Sequence, residues 1–418
     1  MNQWQPLADR LFKTNKMIRV EEAEKIILSQ VKDFGTESIP FETSSGRVLA
    51  EDLIADRDLP PFNRATLDGI AINYGSIEKG IRSFNIKATQ AAGDIPVDIN
   101  SQDECIEIMT GAALPGTVDT VIGYEGLQIQ NGIAEITTAI INKGNGIHSK
   151  GRDRKNNEIV ANANQVITPV LINMAASTGK MNLLVKKLPG VVVISSGDEL
   201  VEVDETPSPF QIRRSNSYMV KAALMQYNSR VDILHIPDDL EITKQKIGDC
   251  LQRYDAIILS GGISMGKFDY IPQALQELSV HKLFHKVQQR PGKPFWFGTH
   301  TSGALVFALP GNPVSTFMCL HRFFLPWLKA SIGLLCEERY AILNQDVSFT
   351  PSLQYFLQVK LNVNKSGNLM ATPVEGNGSG DFANLLDTDA FMELPLEQNN
   401  FAKGEVFRVW PFKEIFFL

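Results

Sequence analysis

Residues 255–270, DAIILSGGISMGKFDY, decide the fold of the central part of the chain. DAIIL is a short apolar run that predicts a buried strand, and the IPQALQEL that follows predicts a helix. The loop between them contains three glycines and two serines, which let backbone N–H groups converge on an anion. The dipole of the following helix favours the same ligand. A tight turn without a ligand is the alternative, because the loop matches neither the Walker pattern nor GxGxxG.

The same alternation of strand and helix continues on both sides of this loop. VVVIS, VDILHI, HKLFHKV and ALVFAL predict further strands, and SNSYMVKAALMQY, LEITKQKIGDCLQRY and FDYIPQALQEL predict helices. Such alternation predicts a doubly wound, mostly parallel sheet with helices on both faces, which we place at residues 188–332.

The flanking segments lack this regular alternation of strand and helix, so the expected fold class is multidomain α/β plus β. VEEAEKIILSQVKDFG predicts a helix ended by Gly35, and VITPVLINMAASTG predicts a second one. We expect these helices to pair in a stalk formed by residues 1–55 and 145–187. A β-rich insertion at 56–144 includes the hairpin LQIQNGIAEIT, with a type I′ turn at Asn131–Gly132. YFLQVKLNV, AFMELP and EVFRVWPF predict a barrel-like β domain at 333–418.

Composition narrows the class of protein. The 418 residues carry 40 basic and 47 acidic side chains, a net charge of −7, which argues against a general nucleic-acid binder. The four scattered cysteines fit no metal-ligand spacing, so we expect reduced, buried thiols. The six histidines form no zinc-binding array, and no GxSxG elbow is present. We expect no signal peptide, no membrane span and a cytoplasmic location.

Three acids follow predicted strands at the edge where open α/β sheets bind ligands: Glu199, Asp238 and Asp269. Each acid alone is more commonly a helix cap than a ligand. A carboxylate repels phosphate unless a cation lies between them, and Mg²⁺ prefers carboxylate and phosphate oxygens. Three acids at one edge therefore favour a site for Mg²⁺ and phosphate.

Basic residues are grouped in FHKVQQRPGKPFWFG, where Lys286, Arg290 and Lys293 surround the rigid turn Pro291–Gly292. A solvated basic face is the plain interpretation. The flanking aromatic residues and prolines favour a structured loop that holds an oxyanion next to a phosphorylated ligand. In the β-rich segment, Asp68 and Thr110 each precede a glycine, and local sequence alone favours ordinary turns there.

Nine motifs in the same order resemble the molybdopterin molybdotransferase family, the MoeA and gephyrin E-domain group. They are PPFNRATLDGIAI, IMTGAALP, GRD, SSGDEL, SNSYM, PDD, SGGISMGKFDY, RPGKP and LPGNPVS. The resemblance covers nearly the whole chain. The α/β domain alone also resembles molybdopterin adenylyltransferases and CinA-like proteins, and the flanking domains select the molybdotransferase.

The resemblance implies an enzyme that takes adenylylated molybdopterin and molybdate, inserts the metal into the dithiolene and releases AMP in a Mg²⁺-dependent step. It also implies a homodimer, with a cleft between one subunit's α/β domain and its partner's β domain, and an adenylyltransferase upstream. No nucleic-acid or membrane partner is expected.

Positions of the family motifs imply site residues in this chain. Those tied to activity are Asp68, Thr110, Glu199, Asp238, Asp269 and Lys286. Expected substrate-binding residues are Ser196, Gly197, Gly261, Gly262, Ser264, Gly266, Arg290, Lys293, Asn312 and Ser315, with oxyanion handling at Lys293 and Ser315. The expected Mg²⁺ ligands are Glu199, Asp238 and Asp269.

The chain departs from the family pattern at a few positions. Arg290 stands where many members have lysine, and Gln358 falls where the family tends to have arginine. The planar guanidinium of Arg290 could make the anion contact that is lost where Gln358 replaces an arginine. Asp381 follows the Gly-Ser-Gly segment as a further substitution, and FNRATLDG lacks the first aspartate of the frequent form while retaining Asp68. Two other functions stay open: an adenylyltransferase that uses ATP, and a gephyrin-like binding scaffold, for which this chain has no long linker.

Overall fold

The chain divides into two units, of which one holds an α/β sheet and a β-barrel and the other a mixed β-sheet. The smaller unit comprises residues 38–45 and 49–184, and the larger one comprises the segments before residue 38, at 46–48 and from 185 onward. The computed structural model describes residues 17–263, 270–334 and 336–413. The four expected domain boundaries are finer than this division and stay a prediction.

The elements before residue 190 belong mainly to the smaller unit. In chain order they are α1 (Val20–Leu28), β1 (Thr36–Pro40), β2 (Leu53–Ile54), β3 (Arg64–Ala65), β4 (Gly69–Ile72), α2 (Tyr74–Glu78), β5 (Ser83–Gln90), β6 (Glu104–Ile108), β7 (Thr120–Gly123), β8 (Leu127–Gln130), β9 (Ile133–Ile136), β10 (Ile147–His148), β11 (Ile159–Ala161), α3 (Pro169–Ser177) and β12 (Asn182–Lys186). The main sheet has the strand order β7-β4-β6-β5-β9-β8. Asn131 and Gly132, with φ of 49° and 78°, form the predicted hairpin turn between β8 and β9.

The helix α1 is shorter than its sequence pattern predicts. It ends at Leu28, where the Ser29 hydroxyl donates to the carbonyl of Ile26, and Gly35 follows a turn closed by Asp33. Such local side-chain bonds compete with helical ones, so the apolar rhythm continues beyond the helix itself. Helices α1 and α3 both form but lie in different units, and their pairing stays a prediction.

The α/β part of the larger unit contains elements from residue 191 to 331. They are β13 (Val191–Ser196), β14 (Leu200–Val201), β15 (Ile212–Arg213), α4 (Asn216–Met225), β16 (Val231–Ile236), α5 (Leu240–Arg253), β17 (Ala256–Ser260), α6 (Ile271–Glu277), β18 (His281–His285), β19 (Gln289–Arg290), β20 (Trp296–Thr299), β21 (Leu305–Leu309), α7 (Pro313–Cys319), a π-helical turn (Leu320–Phe324) and α8 (Leu325–Ser331). Pro326 lacks an N–H, and the wider π turn before it lets the helix continue from α7 into α8.

The predicted sheet is confirmed, with the order β16-β13-β17-β21-β20-β18. Strands β16, β13, β17 and β21 are parallel, whereas β20 and β18 add an antiparallel edge. Along β13, Val191 and Val193 enter one hydrophobic core while Val192 and Ile194 enter the other. Burial on both faces explains why these strands are unbroken apolar runs.

The C-terminal part forms a closed five-stranded barrel. Its elements are β22 (Arg339–Leu343), β23 (Val347–Ser348), β24 (Gln354–Val363), β25 (Leu369–Pro373), a 3₁₀ turn (Phe382–Leu386), β26 (Ala390–Leu394), β27 (Asn400–Phe401) and β28 (Val406–Pro411). The order β24-β25-β22-β28-β26 closes through pairing of β26 with β24. Strand β19 of the α/β part joins the edge of β24 in parallel.

The four cysteines are free, and three of them (Cys105, Cys250 and Cys319) are buried as expected, while Cys336 is half-buried. Burial, the largest effect, raises the pKa of the Cys105 thiol to about 12. Within the described ranges, no helix combines the length and apolar character needed to cross a membrane.

Candidate active site

The four parallel strands end at one edge of the α/β sheet. Ser196, Ile236, Ser260 and Leu309 are the last residues of β13, β16, β17 and β21. Ser196 pairs with Ile236, and Ser260 pairs with Leu309 and with Ser195, so the four strands end within one residue of the same level. The loops that leave these strands therefore gather at this edge, as the sequence predicts. This is the edge at which ligands of such sheets bind.

Asn216, at the start of α4, ties three of these segments together. Its Nδ2 lies 2.7 Å from the carbonyl oxygen of Gly311, 3.0 Å from Ser260 Oγ and 3.5 Å from Thr316 Oγ1. Its Oδ1 is buried and has no hydrogen-bond partner among the described residues. Sequence reasoning did not select Asn216 as a site residue; its position in SNSYM was the only signal.

A cavity of about 470 Å³, the strand-end cavity, lies against these loops. The expected site residues in its lining are Ser196, Glu199, Gly261, Gly262 and Asn312. Gly262 has a φ of 65°, and an added Cβ would lie 2.6 Å from Ile271 Cδ1, so the loop needs glycine there. The lining also contains residues that were not predicted, including Ser195, Arg213, Arg214, Asn216 and Ser260.

The two described acids at this edge are not helix caps. The cap of α5 is Asp239, whose Oδ1 accepts from the backbone N–H of Ile242 at 2.9 Å. Asp238 instead accepts from Ser196 Oγ at 3.4 Å. Glu199 folds over Gly197, where an added Cβ would lie 2.2 Å from Glu199 Oε2. The capping alternative is therefore wrong for Asp238 and Glu199, and the cap is Asp239, which the sequence did not single out.

The expected third acid, Asp269, lies outside the described residues, as do Ser264 and Gly266. Among the residues that are described, no group of three or more His, Cys, Asp or Glu side chains could hold a metal ion. Glu199, Asp238 and the Ser196 hydroxyl are oxygen donors, the ligand type that Mg²⁺ takes together with waters and phosphate.

A second cavity of about 680 Å³, the cationic cleft, separates the α/β part from the barrel. Arg290, Lys293 and Ser315 line its α/β side, and Gln358 and the segment 375–379 line its barrel side. The Lys286 side chain is half-buried. It is not among the described residues that line these two cavities. The structure thus brings Arg290 and Lys293 together with Ser315, and the role of Lys286 stays a prediction.

The barrel loop after β25 contacts the loop before α7. Asn312 Nδ2 donates to Ser379 Oγ at 2.8 Å, and the Val314 N–H donates to the carbonyl of Ser379 at 3.2 Å. Asp381 turns back on its own loop, accepting from the backbone N–H of Asn377 at 3.0 Å, which lowers the pKa of Asp381. This substitution therefore closes a turn.

The departures at Arg290 and Gln358 meet in the cationic cleft. The Oε1 of Gln358 is buried without a hydrogen-bond partner in the described part of the chain. The Arg290 guanidinium lies 5.9 Å from the ring centroid of Phe349, which stacks on Tyr355 at 4.1 Å. The stacked rings of Phe349 and Tyr355 thus support one side of the Arg290 guanidinium.

In the smaller unit, Asp68 and Thr110 are direct partners. The Thr110 N–H donates to Asp68 Oδ1 at 2.6 Å. This bond, followed by one to the Thr110 hydroxyl, lowers the pKa of Asp68. The pair is exposed, so its carboxylate is free to meet a ligand on its open side.

Two residues missed by sequence reasoning lie beside this pair. Tyr124 donates its hydroxyl to Glu107 Oε1 at 2.9 Å, and its N–H donates to the carbonyl of Asp68 at 3.0 Å. Burial and then the bond to Glu107 raise the pKa of Tyr124 to about 12. Tyr124 follows β7 and Glu107 lies on β6, and no local pattern marks either as a neighbour of Asp68.

Comparison with known proteins accounts for nearly all of the chain. Residues 18–179 match the family described as MoeA N-terminal region (domain I and II), residues 192–330 match the probable molybdopterin binding domain, and residues 340–412 match the MoeA C-terminal region (domain IV).

Individual relatives agree with these matches. A molybdopterin molybdenumtransferase of Synechocystis is 38% identical over 94% of this chain and 99% of its own length. One of Staphylococcus epidermidis is 29% identical over 93% of this chain and 94% of its own length. The crystal structure of a molybdopterin biosynthesis MoeA protein from Pyrococcus horikosii, 28% identical, matches 96% of this chain and all of its own with a TM-score of 0.81. The chain therefore belongs to the molybdopterin molybdenumtransferase (MoeA) family of transferases in molybdenum cofactor biosynthesis.

Proposed function

We propose that this protein inserts molybdate into adenylylated molybdopterin and releases AMP in a Mg²⁺-dependent step. The observation that carries the proposal is the contact between two chemically different cavities. Pro294, Pro310 and Asn312 line both the strand-end cavity and the cationic cleft. A phosphorylated ligand in the first can therefore reach an oxyanion held in the second.

In this proposal the phosphates of the substrate bind at the strand ends, where Gly262, with a φ of 65° and no Cβ, lets the loop backbone approach them closely. Arg290, Lys293 and the Ser315 hydroxyl hold molybdate, a dianion, in the cationic cleft. Glu199 and Asp238 would hold Mg²⁺, which would neutralise phosphate charge when bound. Each group stabilises charge that builds up as the phosphoanhydride is cleaved.

The partners follow from the same proposal. The protein works as a cytoplasmic homodimer in which one protomer's Asp68 and Thr110 serve the cleft of its partner. An adenylyltransferase supplies the substrate upstream. The support is that the Asp68–Thr110 pair is exposed, so that a partner subunit can contact it.

The test is a comparison of two substrate pairs with the purified protein. Adenylylated molybdopterin with molybdate and Mg²⁺ is expected to yield AMP, whereas molybdopterin with ATP is expected to yield no adenylylated product. The opposite result would identify an adenylyltransferase and overturn the proposal.

The neighbouring aspartates provide a matched pair of variants for the same assay. Asp238→Asn is expected to lower AMP release about 100-fold, a loss of the size seen when one stabilising group is removed. Asp239→Asn makes the same charge change one residue away, and asparagine caps a helix as well as aspartate does, so its activity is expected to be normal. Equal activity of the two variants would remove Asp238 from the site.

A further inference from the structure

A buried arginine joins helix α1, the α/β part and the barrel. Arg322 lies in the π turn, and only 1% of its surface is exposed. Its Nη2 donates to Glu24 Oε2 at 2.9 Å, and its Nε lies 3.2 Å from Glu393 Oε2. The guanidinium also lies 4.5 Å from the ring centroid of Trp410. We call Glu24, Arg322, Gln354, Glu393 and Trp410 the Arg322 cluster.

Glu393 connects Arg322 to three strands of the barrel. Its Oε2 accepts from Trp410 Nε1 at 2.6 Å, and its Oε1 accepts from Gln354 Nε2 at 2.5 Å. These residues lie on β26, β28 and β24 in turn. One buried charge thus holds three strands of the barrel against the last helix of the α/β part.

The cluster continues directly into the wall of the cationic cleft. Gln354 begins β24, and its N–H donates to the carbonyl of Gln288 at 2.9 Å. Next to it, Gln289 pairs with Gln354 and Arg290 pairs with Tyr355. The Gln289 side chain, fully buried, donates to the carbonyl of Gly292 at 3.1 Å. The turn that carries Arg290 and Lys293 is therefore fixed through Gln354 to Arg322.

Stability alone does not explain a charge in this place. Replacing a buried ion pair by apolar groups of similar volume is often neutral or stabilising, because two charges must lose their water. In some proteins a buried pair is retained because it fixes one arrangement of the groups around it. The groups connected here are the cationic turn and the barrel wall.

We propose that the Arg322–Glu393 pair is a positioning element that sets the width of the cationic cleft and so the affinity for molybdate. The claim that the pair affects the affinity for molybdate rests on the proposed function. The claim that the pair sets the width of the cleft does not, and separate experiments test the two claims.

The principal variant is the double substitution Arg322→Met/Glu393→Gln, which removes both charges and keeps approximately the side-chain volumes. Glu24, with 22% of its side chain exposed, can then turn to water. The KM for molybdate is expected to rise tenfold or more, with kcat changed less than threefold. If the pair has only a structural role, the double variant will have a lower melting temperature but the KM for molybdate and the kcat of the wild type.

The control is Arg47→Met/Glu37→Gln in the same unit. Arg47 Nη2 lies 2.6 Å from Glu37 Oε1, with 11% of the Arg47 side chain and 42% of the Glu37 side chain exposed, so a less buried ion pair is removed away from the cleft. Its KM for molybdate is expected to stay at the wild-type value. An unchanged KM in the folded Arg322 double variant, or an equal rise in the control, would overturn the proposal.

Hydrogen exchange of backbone amides tests the cleft without any substrate. In the Arg322 double variant, residues 287–295 and 353–358 are expected to exchange at least tenfold faster than in the control variant. Unchanged protection there would overturn the positioning role even if the enzyme is active. If the wild type neither binds nor uses molybdate, the proposed function is refuted. If the Arg322 double variant still exchanges faster in these segments, the positioning role is retained.

If the double variant does not fold, Trp410→Phe gives the milder test. It removes one donor to Glu393 and keeps an aromatic ring over Arg322. The same segments are expected to exchange faster, by about threefold, and the KM for molybdate to rise in the same direction. No change in either quantity would overturn the proposal.

Discussion

At the scale of single residues, neighbouring side chains of the same type have different tasks. Asp239 caps α5, whereas Asp238 faces the strand-end loops through Ser196. The difference arises from backbone position, because the cap must lie where its oxygen meets the N–H three residues later. The sequence PDD shows that a cap is present but not which aspartate it is.

Gly197→Ala tests whether Glu199 must occupy its observed position. The backbone at Gly197 has a φ of 137°, and the new Cβ would lie 2.2 Å from Glu199 Oε2. The carboxylate must then move by about an ångström, and a misplacement of this size can cost about 100-fold in rate. We expect AMP release to fall by about that factor, with a free energy of unfolding lower by about 1 kcal/mol.

Gly116→Ala is the control, because nothing lies within 4 Å of its added Cβ. Its rate of AMP release is expected to match that of the wild type. Full activity of the Gly197→Ala variant would show that Glu199 does not act from this position.

Thr110→Val tests the cause of the lowered pKa of Asp68. The backbone N–H remains, but the hydroxyl that contributes the second effect is lost. The pKa of Asp68 is expected to rise part of the way to its ordinary value, and a ¹³C NMR titration of the carboxyl carbon measures it. Because a lowered pKa stabilises the folded state at higher pH and the effect is lost as pH falls, the variant should lose less stability on acidification.

Asp103, whose pKa is lowered by Ser101, provides an internal reference that should not move in the Thr110→Val variant. If the pKa of Asp68 stays where it is in the wild type, the hydroxyl has no part in holding the carboxylate ionised.

At the scale of elements, the sequence predicts strands most accurately where both faces of the strand are buried. β13 and β17 are continuous apolar runs and form as expected. β20 was missed because its residues Trp296–Thr299 follow a turn rich in proline and glycine and were taken as part of that loop. The pairing of β19 with β24 joins residues 65 positions apart, as for Gln289 and Gln354, and no local pattern encodes it.

Asn216→Ala tests the tie between the strand-end loops. Its bonds to Gly311, Ser260 and Thr316 are lost together, and buried groups are left unpaired. We expect the free energy of unfolding in urea to fall by about 1–3 kcal/mol.

The adjacent Ser217→Ala is the matched control, because the Ser217 hydroxyl is buried without a hydrogen-bond partner among the described residues. Its stability should be equal to or above that of the wild type. Comparable losses in both variants would mean that the start of α4, and not the tie, is the sensitive feature.

At the scale of the whole molecule, the order of nine motifs predicts the family, and relatives covering most of the chain agree. The sequence also predicts the sheet edge where Ser196, Glu199 and Gly261 meet. It does not predict the cationic cleft, because its walls come from an α/β loop and a barrel that only the folded chain brings together. Lys286, which the sequence groups with Arg290, does not line this cleft, and its role stays a prediction.

The composite site of the proposed dimer predicts recovery of activity from two inactive variants. Asp68→Ala and Asp238→Asn subunits, mixed and allowed to exchange, form hybrid dimers with one intact cleft each. Random mixing gives half hybrids with half their clefts intact, so about a quarter of wild-type AMP release is expected. No recovery in hybrids isolated by two affinity tags would show that each cleft is built within a single subunit.

The most direct measurement of the central claim is anomalous X-ray scattering from a crystal soaked with molybdate and AMP. The account predicts a molybdenum peak in the cationic cleft among Arg290, Lys293 and Ser315, with the AMP phosphate at Gly261 and Gly262 in the adjoining cavity. A molybdenum peak on a surface remote from these three residues, or AMP bound away from the strand ends, would contradict it.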